Sequence, residues 1–126
     1  MKVKISTKEK FHVLEINEEF LSANMTEEFE NKLESFLEDG VKNVVLNLKD
    51  VQQIDEEIVS VLANASIFFT NSRASFVICQ IQPNVNKLIK DSDAEDLLNI
   101  TPSESEAWDI IQMEEIEREL MQDEEP

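Results

Sequence analysis

The sequence predicts an α/β fold in which about four helices cover a mixed, mainly parallel sheet of about five strands. Two observations predict this class. Segments with strand periodicity alternate along the chain with segments that have helical periodicity. A length of 126 residues also corresponds to one domain with one hydrophobic core. We therefore expect residues 1–121 to form a single domain.

The first half of the chain begins with two strands that can pair as a hairpin. The segments "KVKIST" and "KFHVLEI" alternate polar and apolar residues around a short polar break, which predicts strands near residues 2–7 and 10–16. Helical spacing in "TEEFENKLESFLEDG" predicts a helix that Thr26 caps and Gly40 ends. The apolar segment "NVVLNL" then predicts a buried strand.

The second half continues the alternation of helices and strands. The segment "EEIVSVLANASIFFTNS" predicts a helix with little polar face, for which Asp55 is the expected N-terminal cap. The strand "ASFVICQI" follows, and Pro83 begins the short helix "PNVNKLIKD". The segment "DLLNI" is short enough to be an edge strand.

The last predicted element is a helix with a strong start signal. Thr101 can cap it, Pro102 fits the first helical position, and Glu104 completes a capping box. We expect a broad apolar stripe of this helix to pack on the sheet. The stripe consists of Ala107, Trp108, Ile110, Ile111, Met113, Ile116 and Leu120. The helix is expected to fray beyond Met121, leaving residues 122–126 as a disordered acidic tail.

The charge of the chain excludes several classes of partner. Asp and Glu number 28 against 11 Lys and Arg, which gives a formal net charge of −17. This charge repels phosphate backbones and anionic lipids, so we expect no nucleic-acid partner. The chain also lacks an apolar leader and any apolar run near the roughly 20 residues that span a bilayer, which predicts a cytoplasmic protein without membrane insertion.

The sequence offers few groups for catalysis or cofactor binding. Gly40 is the only glycine, which excludes a glycine-rich phosphate loop. His12 and Cys79 are the only residues of their types and lie in predicted strands, so neither a histidine-based triad nor a zinc site is expected. The acidic residues do not have calcium-loop spacing. We therefore expect no enzyme activity, no cofactor and no metal site.

Three segments together resemble a known family. The segment "KNVVLNLKDVQQIDEEIVSVLANA" resembles the core motif of the STAS domain, the fold of bacterial anti-sigma factor antagonists, where a V-V-L-D-L strand precedes a D-S-S-G-L helix start. The segment "ASFVICQIQPNVNKLIKDSDAEDLLNI" is similar to the strand, proline-initiated helix and last strand that follow in this family. The segment "AWDIIQMEEIEREL" resembles the closing helix of short bacterial members. The resemblance covers nearly the whole chain and implies a STAS-like fold.

The resemblance also implies a function. Family members are non-enzymatic regulatory modules that dock on an anti-sigma factor kinase, or a similar regulatory protein, under the control of serine phosphorylation. The implied partner-binding residues form the turn at the start of the second helix and comprise Asp55, Glu56, Glu57, Ile58 and Ser60. The alternative is a structural or adaptor STAS subunit of a lipid-transport or stress-sensing assembly. The oligomeric state stays open.

This turn departs from the family pattern at the regulatory position. Asp55 matches the family's aspartate, but Glu56 and Glu57 replace the two serines. Ile58 replaces the glycine, and Ser60 is the nearest hydroxyl. In the family, the second of these serines is the regulatory one, and its charge alternates between zero and about −1.5 to −2 as it is phosphorylated. Glu57 stands at this position and carries a permanent negative charge. Two functional interpretations remain: Glu57 mimics the phosphorylated, non-docking form, or it anchors a basic partner. A structural explanation is also sufficient, because the helix dipole favours acidic residues in the first turn of a helix.

Overall fold

The computed structural model describes the backbone of residues 1–124 and confirms the α/β prediction. The strands are β1 Val3–Thr7, β2 His12–Ile16, β3 Phe20–Leu21, β4 Val44–Asn47, β5 Gln53–Ile54, β6 Phe76–Cys79 and β7 Asn99–Thr101. The helices are α1 Thr26–Ser35, α2 Glu56–Asn71, α3 Pro83–Lys90 and α4 Glu104–Glu124. Short 3-10 turns occur at Ala23–Met25, Phe36–Glu38 and Glu95–Leu97.

The main sheet has the strand order β1-β2-β4-β6-β7. Strands β1 and β2 form the predicted antiparallel hairpin, and its turn is closed by the Lys8 N–H, which donates to the Phe11 carbonyl at 2.8 Å. The remaining neighbours in this sheet are parallel, and β7 lies at the edge as predicted. Strands β3 and β5 form a separate parallel pair that the sequence did not predict.

The central strand β4 separates two hydrophobic clusters. Val44 and Leu46 pack in the larger cluster with residues of α1, α2 and α3, whereas Val45 faces the smaller cluster beneath α4. The smaller cluster consists of Val13, Val45, Val77, Cys79, Ala107 and Ile111. All four residues of β4 are buried, because helices cover both faces of the sheet at this strand. Helix α2 therefore lies on one face of the sheet and α4 on the other.

The predicted ends of α1 are wrong in detail. Thr26 is the first residue of the helix, and its hydroxyl donates to the Ala23 carbonyl at 2.7 Å instead of capping. The 3-10 turn at Ala23–Met25 leads directly into α1 and leaves Thr26 no cap position. At the other end, α1 passes at Ser35 into a second 3-10 turn, and Gly40 does not adopt a positive φ. The tighter turn ends the helix before the glycine is reached.

The predicted cap of α4 is also shifted. Thr101 is the last residue of β7, and its hydroxyl donates to the Ser103 carbonyl at 2.8 Å. The cap is Ser103, because its hydroxyl accepts the Glu106 N–H at 3.2 Å. Pairing with β6 holds Thr101 in the sheet and delays the helix start until Glu104.

Two asparagines attach α4 to the sheet at opposite ends of β4. At the carboxyl end, the Asn47 amide donates to the Glu104 carboxylate at 2.9 Å and to the Gln80 side chain at 2.8 Å. Asn43 immediately precedes β4, and its amide donates to the Glu115 carboxylate at 2.7 Å. Helix α4 therefore runs antiparallel to the parallel strands.

Asn43 also joins the two central parallel strands. Its side-chain oxygen accepts the Ser75 N–H at 2.8 Å just before β6 begins, and its amide donates to the Lys10 carbonyl at 3.0 Å. Arg118 of α4 reaches the same place, since its guanidinium donates to the Ser75 hydroxyl at 3.1 Å. Asn43 is 7% exposed, so these bonds replace water at a buried amide.

The predicted apolar stripe of α4 is wider than its contact with the sheet. Ala107 and Ile111 are buried, as expected, but Met113, Ile116 and Leu120 are 60%, 57% and 58% exposed. With 3.6 residues per turn, the side that carries Ala107 and Ile111 turns these three residues toward solvent. The helix extends to Glu124, residues 125–126 lie outside the described residues, and the disordered acidic tail at residues 122–126 stays a prediction.

His12 and Cys79 are core residues, as the sequence predicted for the cysteine and allowed for the histidine. The Val41 carbonyl accepts a hydrogen bond from His12 Nε2 at 2.8 Å, so the Thr7 hydroxyl donates to Nδ1 at 3.0 Å. Burial and, to a lesser extent, the nearby Glu104 carboxylate raise the pKa of the Cys79 thiol to about 12. The thiol therefore stays protonated at neutral pH and behaves as an apolar side chain.

We expect Asn43→Ala to lower the free energy of unfolding by about 2–3 kcal/mol, because it leaves the buried Ser75 N–H and the part-buried Lys10 carbonyl without their partner. Urea denaturation followed by circular dichroism measures the change. Asn99→Ala is the matched control, since the Asn99 amide makes only one exposed 3.4 Å contact, with Glu114. Equal effects of the two substitutions would contradict the role assigned to Asn43.

Candidate docking surface

The small β3–β5 sheet fixes the turn that begins α2. Leu21 pairs with Ile54, and both side chains are buried. The Glu19 carbonyl accepts the Gln52 N–H at 2.8 Å, and the Leu21 carbonyl accepts the Asp55 N–H at 3.0 Å. Two segments that are distant in sequence thus support one turn. Neither strand was predicted from the sequence because two residues show no periodicity.

Asp55 occupies the cap position of α2 but does not cap it with its side chain. Its carboxylate instead accepts the Ala23 N–H at 2.7 Å, at the start of the 3-10 turn before α1. The predicted bond from Asp55 to its own helix is therefore wrong. The Asp55 carbonyl accepts the Ile58 N–H at 3.0 Å and continues the backbone into α2. The Asp55 side chain links the starts of two helices.

The residues of the predicted docking turn have different environments. Glu56, Glu57 and Ser60 are exposed, and Asp55 is half-buried. Ile58 is fully buried in the larger cluster, so it supports the turn from inside and does not face a partner. Among residues 1–124, the ion pairs involve neither Glu56 nor Glu57. Both carboxylates are thus open to an external partner.

Phe20 adds an exposed aromatic ring to this surface. It lies on β3 opposite Gln53, close to the Asp55 turn, and is 42% exposed. Exposed aromatic side chains beside polar groups are common anchors of protein interfaces. The sequence reasoning missed Phe20. The available signal was a lone aromatic residue within the polar segment "NEEFLSAN", but its exposure depends on the unpredicted β3–β5 pairing.

A groove of about 450 Å³ runs beside the turn. Glu56 and Ser60 lie on its α2 side, and Asp91 and Asp93 lie on the side of the segment after α3. Its apolar lining residues are Val59, Ala63, Leu88 and Ala94. Within the described part of the chain, the lining includes three carboxylates and no lysine or arginine. The groove therefore favours a cationic side chain over an anionic one.

The described residues contain neither a metal-binding cluster nor a membrane-spanning helix. From Met1 to Glu124, no group of His, Cys, Asp or Glu side chains has an arrangement that could hold a metal ion. Over the same residues, every helix is too short or too polar to span a bilayer. The surface thus consists of exposed carboxylates, a hydroxyl and an aromatic ring on a supported turn.

The fold and the match to a family model define the class of the protein. The family model of the STAS domain matches residues 2–107, which include the whole sheet and helices α1 to α3. The chain therefore belongs to the STAS domain family. No curated protein matches the chain.

Solved structures with this fold include several anti-sigma factor antagonists. A candidate antagonist from Thermotoga maritima has a TM-score of 0.79 at 21% identity, over 87% of this chain and 94% of that chain. SpoIIAA in its unphosphorylated form has a TM-score of 0.71 at 14% identity, over 88% and 96% of the two chains. A serine-to-glutamate variant of RsbS from Moorella thermoacetica has a TM-score of 0.70 at 17% identity, over 89% and 96%. These likenesses support the fold.

We expect Asp55→Ala to lower the free energy of unfolding by about 1–2 kcal/mol, because it removes a charge-assisted bond to the Ala23 N–H. Chemical denaturation measures the loss. Glu56→Ala is the matched control at the same helix start, and its loss should not exceed about 0.3–1 kcal/mol, the contribution of the helix dipole. A larger effect of Glu56→Ala would show that the dipole, and not the link between the two helices, dominates at this turn.

Proposed function

We propose that this STAS protein is a non-enzymatic, cytoplasmic regulatory module that binds an anti-sigma factor kinase or a similar regulatory protein through the turn that begins α2. The observation that carries the proposal is the exposure of Glu56, Glu57 and Ser60 on a turn held by β3, β5 and the Asp55 carboxylate. Such support lets exposed side chains keep one arrangement before a partner arrives, which lowers the entropic cost of binding.

Glu57 removes the phosphorylation switch in this proposal. It occupies the position of the family's regulatory serine and carries one constant charge. Ser60 lies almost one helical turn further along and lines the groove, and in this proposal it does not take over the role of that serine. Docking would then be controlled by the amount of the protein or its partner and not by a kinase acting on this turn.

We infer that Glu57 anchors a basic partner and does not mimic the phosphorylated, non-docking form. The carboxylates of Glu56, Asp91 and Asp93 line the groove beside it, so the local field favours partner lysine or arginine side chains. Phe20 supplies apolar contact area near the same turn. A partner pocket that excludes negative charge would be repelled by all of these carboxylates, and not by Glu57 alone. Such a pocket therefore does not fit this surface.

We expect Glu57→Gln to weaken docking to an anti-sigma factor kinase of the same organism by about tenfold, or about 1.4 kcal/mol, because it removes an anchoring charge. Isothermal titration calorimetry measures the affinity, and the dependence on salt should fall with it. Glu9→Gln, an exposed charge change in the turn between β1 and β2, is the control. Tighter docking of Glu57→Gln would identify Glu57 as a phosphate mimic. Equal affinity of all forms would contradict the proposed site.

The same titration tests the aromatic part of the surface. We expect Phe20→Ala to weaken docking by about five- to thirtyfold, or about 1–2 kcal/mol, with little change in stability, because the ring is exposed before binding.

Incubation of the wild-type protein with the kinase and ATP should add no phosphate to residues 55–60. Phosphate on Ser60 would contradict the loss of the switch. Binding to a transporter component in place of the kinase would favour the adaptor function.

A further inference from the structure

The C-terminal helix carries an apolar row that no part of residues 1–124 covers. This outer α4 strip consists of Met113, Ile116 and Leu120, which are each more than half exposed. Their spacing of three and four residues is that of adjacent core positions in a coiled coil, and it places them on one side of the helix. Exposed apolar residues that form a row on an anchored helix indicate a binding surface more strongly than scattered ones.

The orientation of the strip is fixed by contacts on the other side of α4. Glu104 bonds to Asn47, Glu115 bonds to Asn43, and Arg118 bonds to Ser75. These bonds hold the helix at both ends of β4, so α4 cannot rotate the strip toward the sheet without breaking them. The match to the STAS family model ends at Ala107. The strip therefore lies outside the part of the chain that matches the family.

The charges around the strip select the kind of partner. Residues 104–124 contain nine Asp and Glu residues, and their single base, Arg118, bonds to the sheet side of the helix. A second copy of this chain would bring two such acidic helices together, and the like charges would repel each other. A partner with basic residues beside an apolar row would meet both attraction and apolar contact.

We propose that the outer α4 strip docks an amphipathic helix of another protein, one with an apolar row flanked by lysine and arginine. The apolar row of that helix packs along Met113, Ile116 and Leu120, and its basic residues face the carboxylates on either side, among them Glu117 and Glu119. This surface is separate from the docking turn at Asp55, because α2 and α4 lie on opposite faces of the sheet.

A synthetic three-heptad helix with leucine at its core positions and lysine at the flanking positions tests the proposal. Titrated into the full chain with labelled isoleucine and methionine methyl groups, it should shift the signals of Ile116 and Met113 first. We expect a Kd on the order of 10–100 μM in about 0.05 M salt, weakening as salt increases. A matched peptide with glutamate in place of lysine should not bind.

Two double variants separate docking at the strip from general charge attraction. Ile116→Gln with Leu120→Gln should weaken peptide binding about tenfold, without a fall in the melting temperature, because both side chains are exposed. Ile67→Gln with Phe68→Gln alters two α2 residues that are 46% and 48% exposed, and it should leave peptide binding unchanged.

Three outcomes would overturn the proposal. The first is equal binding of the lysine peptide to both double variants. The second is equal binding of the lysine and glutamate peptides to the unmodified chain. The third is a concentration-dependent dimer in sedimentation equilibrium that Ile116→Gln with Leu120→Gln abolishes, which would assign the strip to a second copy.

Discussion

The placement of α4 on the sheet depends on the two asparagines at the ends of β4. Asn43 and Asn47 are nearly inaccessible to water, and their amides meet carboxylates near opposite ends of the sheet-bound part of α4. A buried amide without a hydrogen-bond partner costs several kcal/mol. A displacement of α4 along the sheet would take both carboxylates away from these amides, so it is strongly unfavourable. A shift of β4 by one residue would also move Asn47 to the opposite, apolar face of the sheet.

A second long-range bond governs the candidate docking turn. Three adjacent carboxylates at a helix start would repel one another if all stood side by side, but the Asp55 carboxylate points to Ala23, 32 residues earlier. Glu56 and Glu57 remain outside, where water screens them and the helix dipole favours them. The acidic turn is therefore compatible with a stable fold, and it presents its charge outward.

The sequence was sufficient for elements whose pattern extends over several residues. The main strands and all four predicted helices are present, because burial of an apolar face produces a readable period. The helix ends were not predictable in the same way. Thr26, Asp55 and Thr101 are all residue types that commonly cap helices, yet none of them caps the predicted helix with its side chain. Thr26 follows a 3-10 turn, the Asp55 carboxylate accepts the Ala23 N–H, and Thr101 pairs with β6 in the sheet.

The candidate site shows the same division between local and long-range information. The acidic turn and its position before α2 could be predicted from "QIDEEIV", whereas the burial of Ile58 and the exposure of Phe20 could not. The stripe of α4 was predicted as one surface, but the asparagine contacts divide it into a buried side and an exposed side. Apolar periodicity alone does not show how much of a helix its neighbours cover.

The antiparallel course of α4 has a consequence for how many molecules the protein can hold at once. The Asp55 turn lies at the carboxyl edge of the parallel strands, whereas α4 beyond Arg118 extends past their amino edge, near Ser75. A rise of about 1.5 Å per residue carries the last turn of the helix away from the body. Ligands seated at the two proposed surfaces, the Asp55 turn and the outer α4 strip, would not compete for space, and the domain would hold them apart in a ternary complex.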